Sequence, residues 1–256
     1  MKQHLLIAVI LTGSCLAANA QTKPEETEVW SPVPKKVTAA KQNGLPPSDA
    51  VILFDGTNLN EWVAEKNPTS DKKWNLHDQV MTVDKKVGDL QTKRTFMDFQ
   101  LHIEYQIPAN ITGTNQGRGN SGIFLAALPF GAGGYELQVL DNYENKTYVN
   151  GQAGSMYKQS PPLVNACKAP GEWQTYDVIW TAPRFKEDGS LLSPARVTAF
   201  HNGVLVQNNT VLKGDTPYIG QPAYKAHGAS PIKLQAHGDP SEPISYRNIW
   251  LRELNN

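Results

Sequence analysis

Cysteine is almost missing from this chain. It has two, Cys15 and Cys167, so no disulfide framework can be read from it. An excess of either charge is missing too, with 24 basic and 24 acidic residues. A nucleic-acid binder would show a basic excess or stripe, so nucleic acid is excluded as a partner and a neutral one is expected. After the first twenty residues no apolar run is long enough to cross a bilayer. Helical periodicity is equally scarce, and no stretch keeps it beyond about three turns. Stability must then come from a packed β core, which one domain of roughly 200 ordered residues can supply.

What is there begins with a secretory pattern. Lys2 is a short positive region, Leu5–Leu11 an apolar one, and Ala18-Asn19-Ala20 an A-x-A cleavage site. Residues 1–20 are expected to be a signal peptide, which places the protein in the periplasm or outside the cell. Thr12-Gly13-Ser14-Cys15 offers a lipoprotein alternative, although leucine is missing three residues before the cysteine. Cleavage after Ala20 would leave Cys167 alone, and no integral membrane segment would remain. Residues 21–48 hold Pro24, Pro32, Pro34, Pro46 and Pro47 and read as a tether, with Val29-Trp30 a possible anchor. Residues 49–256 read as one domain.

That domain is patterned as all-β. Short apolar or alternating runs recur at Val51–Phe54, Trp74–Val83, Phe99–Ile107, Ser121–Leu125, Tyr135–Leu140, Trp173–Trp180, Arg196–Phe200, Ile232–Gln235 and Tyr246–Leu254. Turn signals separate them, the strongest being Asn202-Gly203, which predicts a type I′ hairpin. Many short strands favour a β-sandwich of jelly-roll type. The segments 141–172 and 205–231 are predicted to be long loops, and loops of that length in a sandwich commonly rim a cleft.

Three of these strands carry unusual polar faces. Glu136 and Gln138 are two apart and share a face, as do Gln235 and His237. On Phe99–Gln106, His102, Glu104 and Gln106 alternate with Leu101, Ile103 and Tyr105. A solvated sheet face can alternate in this way as well. Yet carboxylate, carboxamide and imidazole are the groups that grip sugar hydroxyls or move protons. Gly122 and Gly238 beside them suit the close approach of a ligand. If the strands are neighbours, Glu104, Glu136, Gln138, Gln235 and His237 gather on one face.

Other motifs fail on context. Gly117–Gly122 fits G-x-G-x-x-G, but a strand-like run follows where a dinucleotide site needs a helix. Ile123 breaks the nucleophile-elbow pattern, which leaves Ser121 structural. His77, His201 and His227 are isolated and read as surface or turn residues, and no zinc spacing occurs. Trp180 and Trp250 are assigned to the core, while Trp62 and Trp74 fit either core or sugar platform.

The blocks also resemble a known family. Leu53-Phe54-Asp55-Gly56-Thr57-Asn58-Leu59-Asn60-Glu61-Trp62 is similar to the opening motif of the 3-keto-disaccharide hydrolase family. Gly88–Lys93, Phe96–Leu101, Arg118–Leu125, Tyr135–Asp141, Gly171–Gln174, Leu234–Gly238 and Tyr246–Trp250 follow in the family's order. Ala126 and Ala236 depart from the residues that relatives often carry there. The resemblance covers residues 50–254 and implies a concanavalin-like jelly roll in an exported bacterial protein.

It also implies a chemistry. In a glycoside oxidised at C3, the carbonyl acidifies the C2 proton and the C1–oxygen bond lies β to it. Removing that proton, expelling the aglycone and adding water gives net hydrolysis. Histidine's unperturbed pKa lies near working pH, which suits His237 as the base. Glu136 or Glu104 would act as acid or orient it. Arg118, Asn120, Gln138 and Gln235 would contact hydroxyls or the carbonyl, with Asp141 and Tyr157 beside them. No cofactor is certain; a divalent metal held by Glu and His is the alternative electrophile to Arg118. A neutral oligosaccharide or glycoside is the expected substrate. A carbohydrate-binding module without chemistry is the alternative reading. A conventional glucanase is disfavoured, since no E-x-D-x-E-like strand occurs.

Overall fold

The computed structural model describes residues 23–129 and 133–254. Two compact units result, one ending at Lys36 and a body running from Val37. In the first, a 3-10 turn spans Pro24–Thr27, and Val29, Trp30 and Val33 are exposed. The expected signal peptide lies outside the described residues.

The body is built from short antiparallel strands. In chain order they are β1 (Val51–Phe54), β2 (Trp62–Ala64), β3 (Asn75–His77), β4 (Val80–Thr82), β5 (Leu90–Thr92), β6 (Phe99–Gln106), β7 (Ser121–Ala127) and β8 (Gly134–Val139). Then come β9 (Trp173–Thr181), β10 (Arg184–Phe185), β11 (Leu191–Ser193), β12 (Arg196–His201), β13 (Val204–Val211), β14 (Lys233–Leu234) and β15 (Ser245–Glu253). Among the described residues, one sheet has eight strands, in the order β13-β12-β9-β6-β15-β4-β3 with β1 also on β15. The other has five, in the order β2-β5-β14-β7-β8, and β10 with β11 forms a separate ribbon.

Alternation decides which side of each sheet is buried. Phe99, Leu101, Ile103 and Tyr105 of β6 join Ile123, Leu125, Tyr135, Leu137 and Val139 of β7 and β8 in one core. This is the concanavalin-like jelly-roll sandwich expected from the sequence. Inter-sheet hydrogen bonds stitch it together. Ser121 Oγ lies 2.8 Å from Tyr246 Oη, and Tyr176 Oη donates to Gln138 O at 2.9 Å. Trp62 and Trp74 are buried in this core, and neither offers a sugar platform.

Several boundaries differ from expectation. Trp74–Val83 is a hairpin rather than one strand, because Asp78 and Gln79 take φ of 49° and 63° and turn the chain. β13 occupies the start of the expected 205–231 loop. Asn202 and Gly203, at φ 52° and 80°, form the predicted turn into it. His201 is not at the surface. It is fully buried against Tyr105 and Tyr176, and burial with the nearby Lys168 charge pushes its pKa down to about 3. Trp250 faces out of the sandwich and stacks on His102 at 5.3 Å.

Residues 37–48 are fastened to the body as a strap. Asn248 Nδ2 and Trp250 Nε1 both donate to Gly44 O, at 2.8 and 2.9 Å. Asp49 accepts two 2.8 Å bonds from Arg252. The tether expected over 21–48 therefore divides at Val37, the strap belonging to the body.

Candidate active site

The outer face of the five-stranded sheet holds the site. On β8, the inward turn of Leu137 and Val139 forces Glu136 and Gln138 outward. Register then sets the neighbours. Gly122 lies opposite Gln138 and Phe124 opposite Glu136, while Lys233 lies opposite Phe124 on the other side. A Cβ at Gly122 would sit 2.4 Å from Glu136 Oε1, so the missing side chain makes the space the carboxyl occupies.

The cavity on this face measures about 280 Å³. Asn120, Glu136, Gln138, Tyr157, Gln235 and His237 line it, and all six are residues the sequence pointed to. Phe124, Thr216 and Tyr218 complete the wall. Gln235 Oε1 is buried with no hydrogen-bond donor, an open acceptor of the kind a substrate hydroxyl satisfies.

Glu136 is buried, and burial pushes its pKa up to about 8; the Asp89 charge adds to this, while Lys233 and Lys158 oppose it. At neutral pH the group is a carboxylic acid with a proton to give. With its nitrogen turned toward the carboxyl, the Gln138 amide stands 3.1 Å from Glu136 Oε1.

His237 follows β14 in a turn. Its Nδ1 lies 2.8 Å from Asp239 Oδ2. The carboxylate accepts there, which leaves Nε2 as the ring's lone pair. Asn120 Nδ2 stands 3.4 Å from Nε2. Burial works against the Asp239 charge, but hydrogen bonds from His237 and Ser241 and the Lys85 charge hold its pKa down to about 2. A permanent carboxylate thus orients the imidazole. Asp239 was not singled out in the sequence. The signal was the spacing His237-Gly238-Asp239, which puts the carboxylate two past the histidine but beyond the end of the run read as a strand.

Three expected residues are elsewhere. Glu104 belongs to β6 in the opposite sheet. There it accepts from Arg247 Nε at 2.6 Å and Asn248 Nδ2 at 2.7 Å. It lines a different cavity, of about 640 Å³, beneath Leu45 and Pro46 of the strap. Arg118 donates to Asp141 at 2.6 Å, and both line a third cavity with Tyr143 and Asn145. They were expected beside Glu136 because their segments flank β7 and β8. Their side chains satisfy each other instead.

Glu136 and His237 are the ordinary metal-binding side chains on the cavity, one short of the three protein ligands of a catalytic zinc site. Among the described residues no group of three or more His, Cys, Asp or Glu is placed to hold a metal ion.

Comparison with known proteins places the chain in a family. A family model for a 3-keto-alpha-glucoside-1,2-lyase-like domain matches residues 49–252. A crystal structure of a candidate glycosyl hydrolase from Parabacteroides distasonis is 55% identical, covers 91% of this chain and 97% of that one, and superposes with a TM-score of 0.83. Another candidate glycosyl hydrolase from the same organism shares the fold at 19% identity and a TM-score of 0.57, covering 86% of this chain and 100% of that one. A search of curated proteins finds no match.

Proposed function

Because the chain belongs to the 3-keto-alpha-glucoside-1,2-lyase-like family, we propose that it cleaves 3-keto-glycosides by elimination followed by hydration. The observation that carries this reading is the presence of two groups on one cavity: a carboxyl kept protonated by burial, and an imidazole oriented through Nδ1 by a carboxylate. An elimination needs one of each.

His237 Nε2 takes the proton from C2, which the C3 carbonyl acidifies. The electron pair forms an enolate, and Asn120 and Gln138 line the same cavity as the amides that would turn to face it. The C1–oxygen bond then breaks, and Glu136 gives its proton to the departing oxygen. Water enters at C1 of the enone and returns a proton to Glu136, while His237 returns one to C2. Both residues end as they began. This differs from ordinary glycoside hydrolysis, which works by two carboxylates at a fixed separation.

Export is part of the proposal, supported by the pattern of residues 1–20. N-terminal sequencing of the secreted protein should begin at Gln21; an intact Met1 or a lipidated Cys15 overturns the cleavage after Ala20.

The reaction is tested by incubating the protein with a 3-keto-disaccharide and, in parallel, with its unoxidised parent. The ketone alone should be cleaved, and in D₂O the product should carry deuterium at C2. Equal turnover of the parent defeats the proposal. Binding of either sugar with turnover of neither would make the protein a carbohydrate-binding module.

A further inference from the structure

Tyr157 and Tyr218 stand on the cavity that holds Glu136. Each comes from a loop tied to the strand that carries this acid. Tyr157 N–H donates to Glu136 O at 3.0 Å. On the other loop, Thr216 N–H donates to Gly134 O at 2.9 Å and Thr216 Oγ1 accepts from Glu136 N–H at 3.0 Å. Gln159 joins the two loops, its Nε2 donating to Gly214 O and its Oε1 accepting from Lys213 N–H, both at 2.9 Å.

Lys158 completes the arrangement. Its Nζ lies 4.8 Å from the Tyr218 ring centre and 5.5 Å from that of Tyr157, and it also donates to Tyr218 O. Its φ of 58° is a left-handed conformation that costs a non-glycine residue and that this loop nonetheless holds. Tyr218 itself is 70% exposed. A large aromatic ring left in solvent at the rim of a cavity, yet fixed by its neighbours, is a surface waiting for a partner ring.

The cavity volume says which ring. About 280 Å³ is at the low end of ligand pockets. It takes one sugar ring, and a second must lie outside it. Polarity says on which side. The keto-sugar has to present its C2 proton to His237 and its departing oxygen to Glu136, so the leaving group emerges on the Glu136 side, where the tyrosines stand.

We propose that Tyr218, backed by Lys158 and Tyr157, is the leaving-group subsite, and that it selects leaving groups that carry a ring over small alcohols. The C–H face of a pyranose or the face of an aryl group packs on Tyr218, and Lys158 Nζ donates to a hydroxyl at its edge. The assignment rests on the 3-keto-glycoside reading for its direction, with the acid on the leaving-group side.

The test compares wild type with Tyr218→Ala on methyl 3-keto-glucoside and on a 3-keto-disaccharide. The disaccharide KM should rise about three- to tenfold, the range expected for one lost ring contact. Its kcat should change less than about twofold, and both constants for the methyl glycoside should stay within about twofold. Tyr218→Trp should restore the preference. Equal losses on both substrates, or none on either, overturn the proposal. If wild type turns over neither ketone, the reaction has failed but the subsite is still tested. Calorimetric binding of the unoxidised disaccharide and of methyl glucoside should then show a ring preference in wild type that Tyr218→Ala abolishes, and no preference overturns the subsite.

Discussion

Two histidines, one on β6 and one just beyond β14 of the other sheet, each hold an aspartate through Nδ1, His102 to Asp177 at 2.7 Å and His237 to Asp239 at 2.8 Å. The pairs are nearly alike, and their surroundings are not. His102 is 2% exposed. Trp250 stacks on it, the strap glycine Gly44 lies over it, and Nε2 faces Glu104 and Asn248. Burial opposes its charge, but the Asp177 and Glu104 carboxylates raise its pKa to about 9. Every polar direction is occupied, so this histidine can only hold the strap to the sheet. His237 has a 36% exposed side chain, and its Nε2 opens on a cavity. Each Nε2 also has an asparagine amide beside it, Asn248 at 3.2 Å for His102 and Asn120 at 3.4 Å for His237, so what separates an acid–base group from a structural one here is the open cavity in front of His237, not the residue or its carboxylate.

Substituting each histidine breaks the comparison most directly. His237→Ala should lower kcat by about two to four orders of magnitude with little change in Tm, the usual worth of a positioned base. His102→Ala should do the reverse. It should lose about 2 kcal/mol, or roughly 4–8 °C of Tm, because the buried ring gives up its bond to Asp177 and its stack on Trp250. Its kcat, measured on folded protein, should stay within about threefold. Exchange of these phenotypes would refute the assignment.

The two carboxyl groups sharpen it next. Glu136→Gln should cost about a hundredfold in kcat yet raise Tm at pH 8. In the folded state Glu136 binds its proton up to about pH 8, against 4.5 unfolded. The unfolded chain binds fewer protons in that window, so wild-type stability falls as pH rises from 4.5 to 8, and the variant is spared the fall. Glu104→Gln should have the opposite sign at neutral pH. Burial opposes the Glu104 charge, but His102, Asn248 and Arg247 hold its pKa near 2. Its stability is therefore present above 4.5 and lost only as pH falls toward 2. Thermal melts across pH read both.

A smaller effect separates the strap from its leader. His102 contributes stability that is full below pH 6.5 and is lost as pH rises toward 9. His102→Gln should flatten the Tm profile over that window only. The smallest effect is expected on removing residues through Lys36, which should move Tm by under about 2 °C. Extending the cut through Ser48 strips Gly44 from Trp250 and should cost visibly more. Equal melts for the two truncations would show that the strap adds nothing.

Much of this was legible in the sequence, and the reason is parity. The faces of β6 and β8 follow from alternation alone, which turned Glu136 and Gln138 to one side, and the same spacing grouped Gln235 and His237 although both lie beyond the two residues of β14. Parity cannot say which sheet a strand joins. β6 alternates as cleanly as β8, and Glu104 was grouped with Glu136 for that reason, although β6 pairs with β9 and β15. Nor does it reach turns, where Asp239 and Tyr218 sit. Short strands such as β2 and β5 escaped notice because three residues carry too little pattern. His201 was misjudged because a buried imidazole and a turn imidazole look the same in a string of letters.

The space opposite Glu136 has a use beyond this chain. Where Gly122 stands, even a methyl group would collide with the carboxyl. A homologous sequence that keeps the glutamate but carries alanine at that place must seat its acid differently or do without it. A single letter on the neighbouring strand can thus sort chains that share this fold into those that can seat the acid as here and those that must place it otherwise.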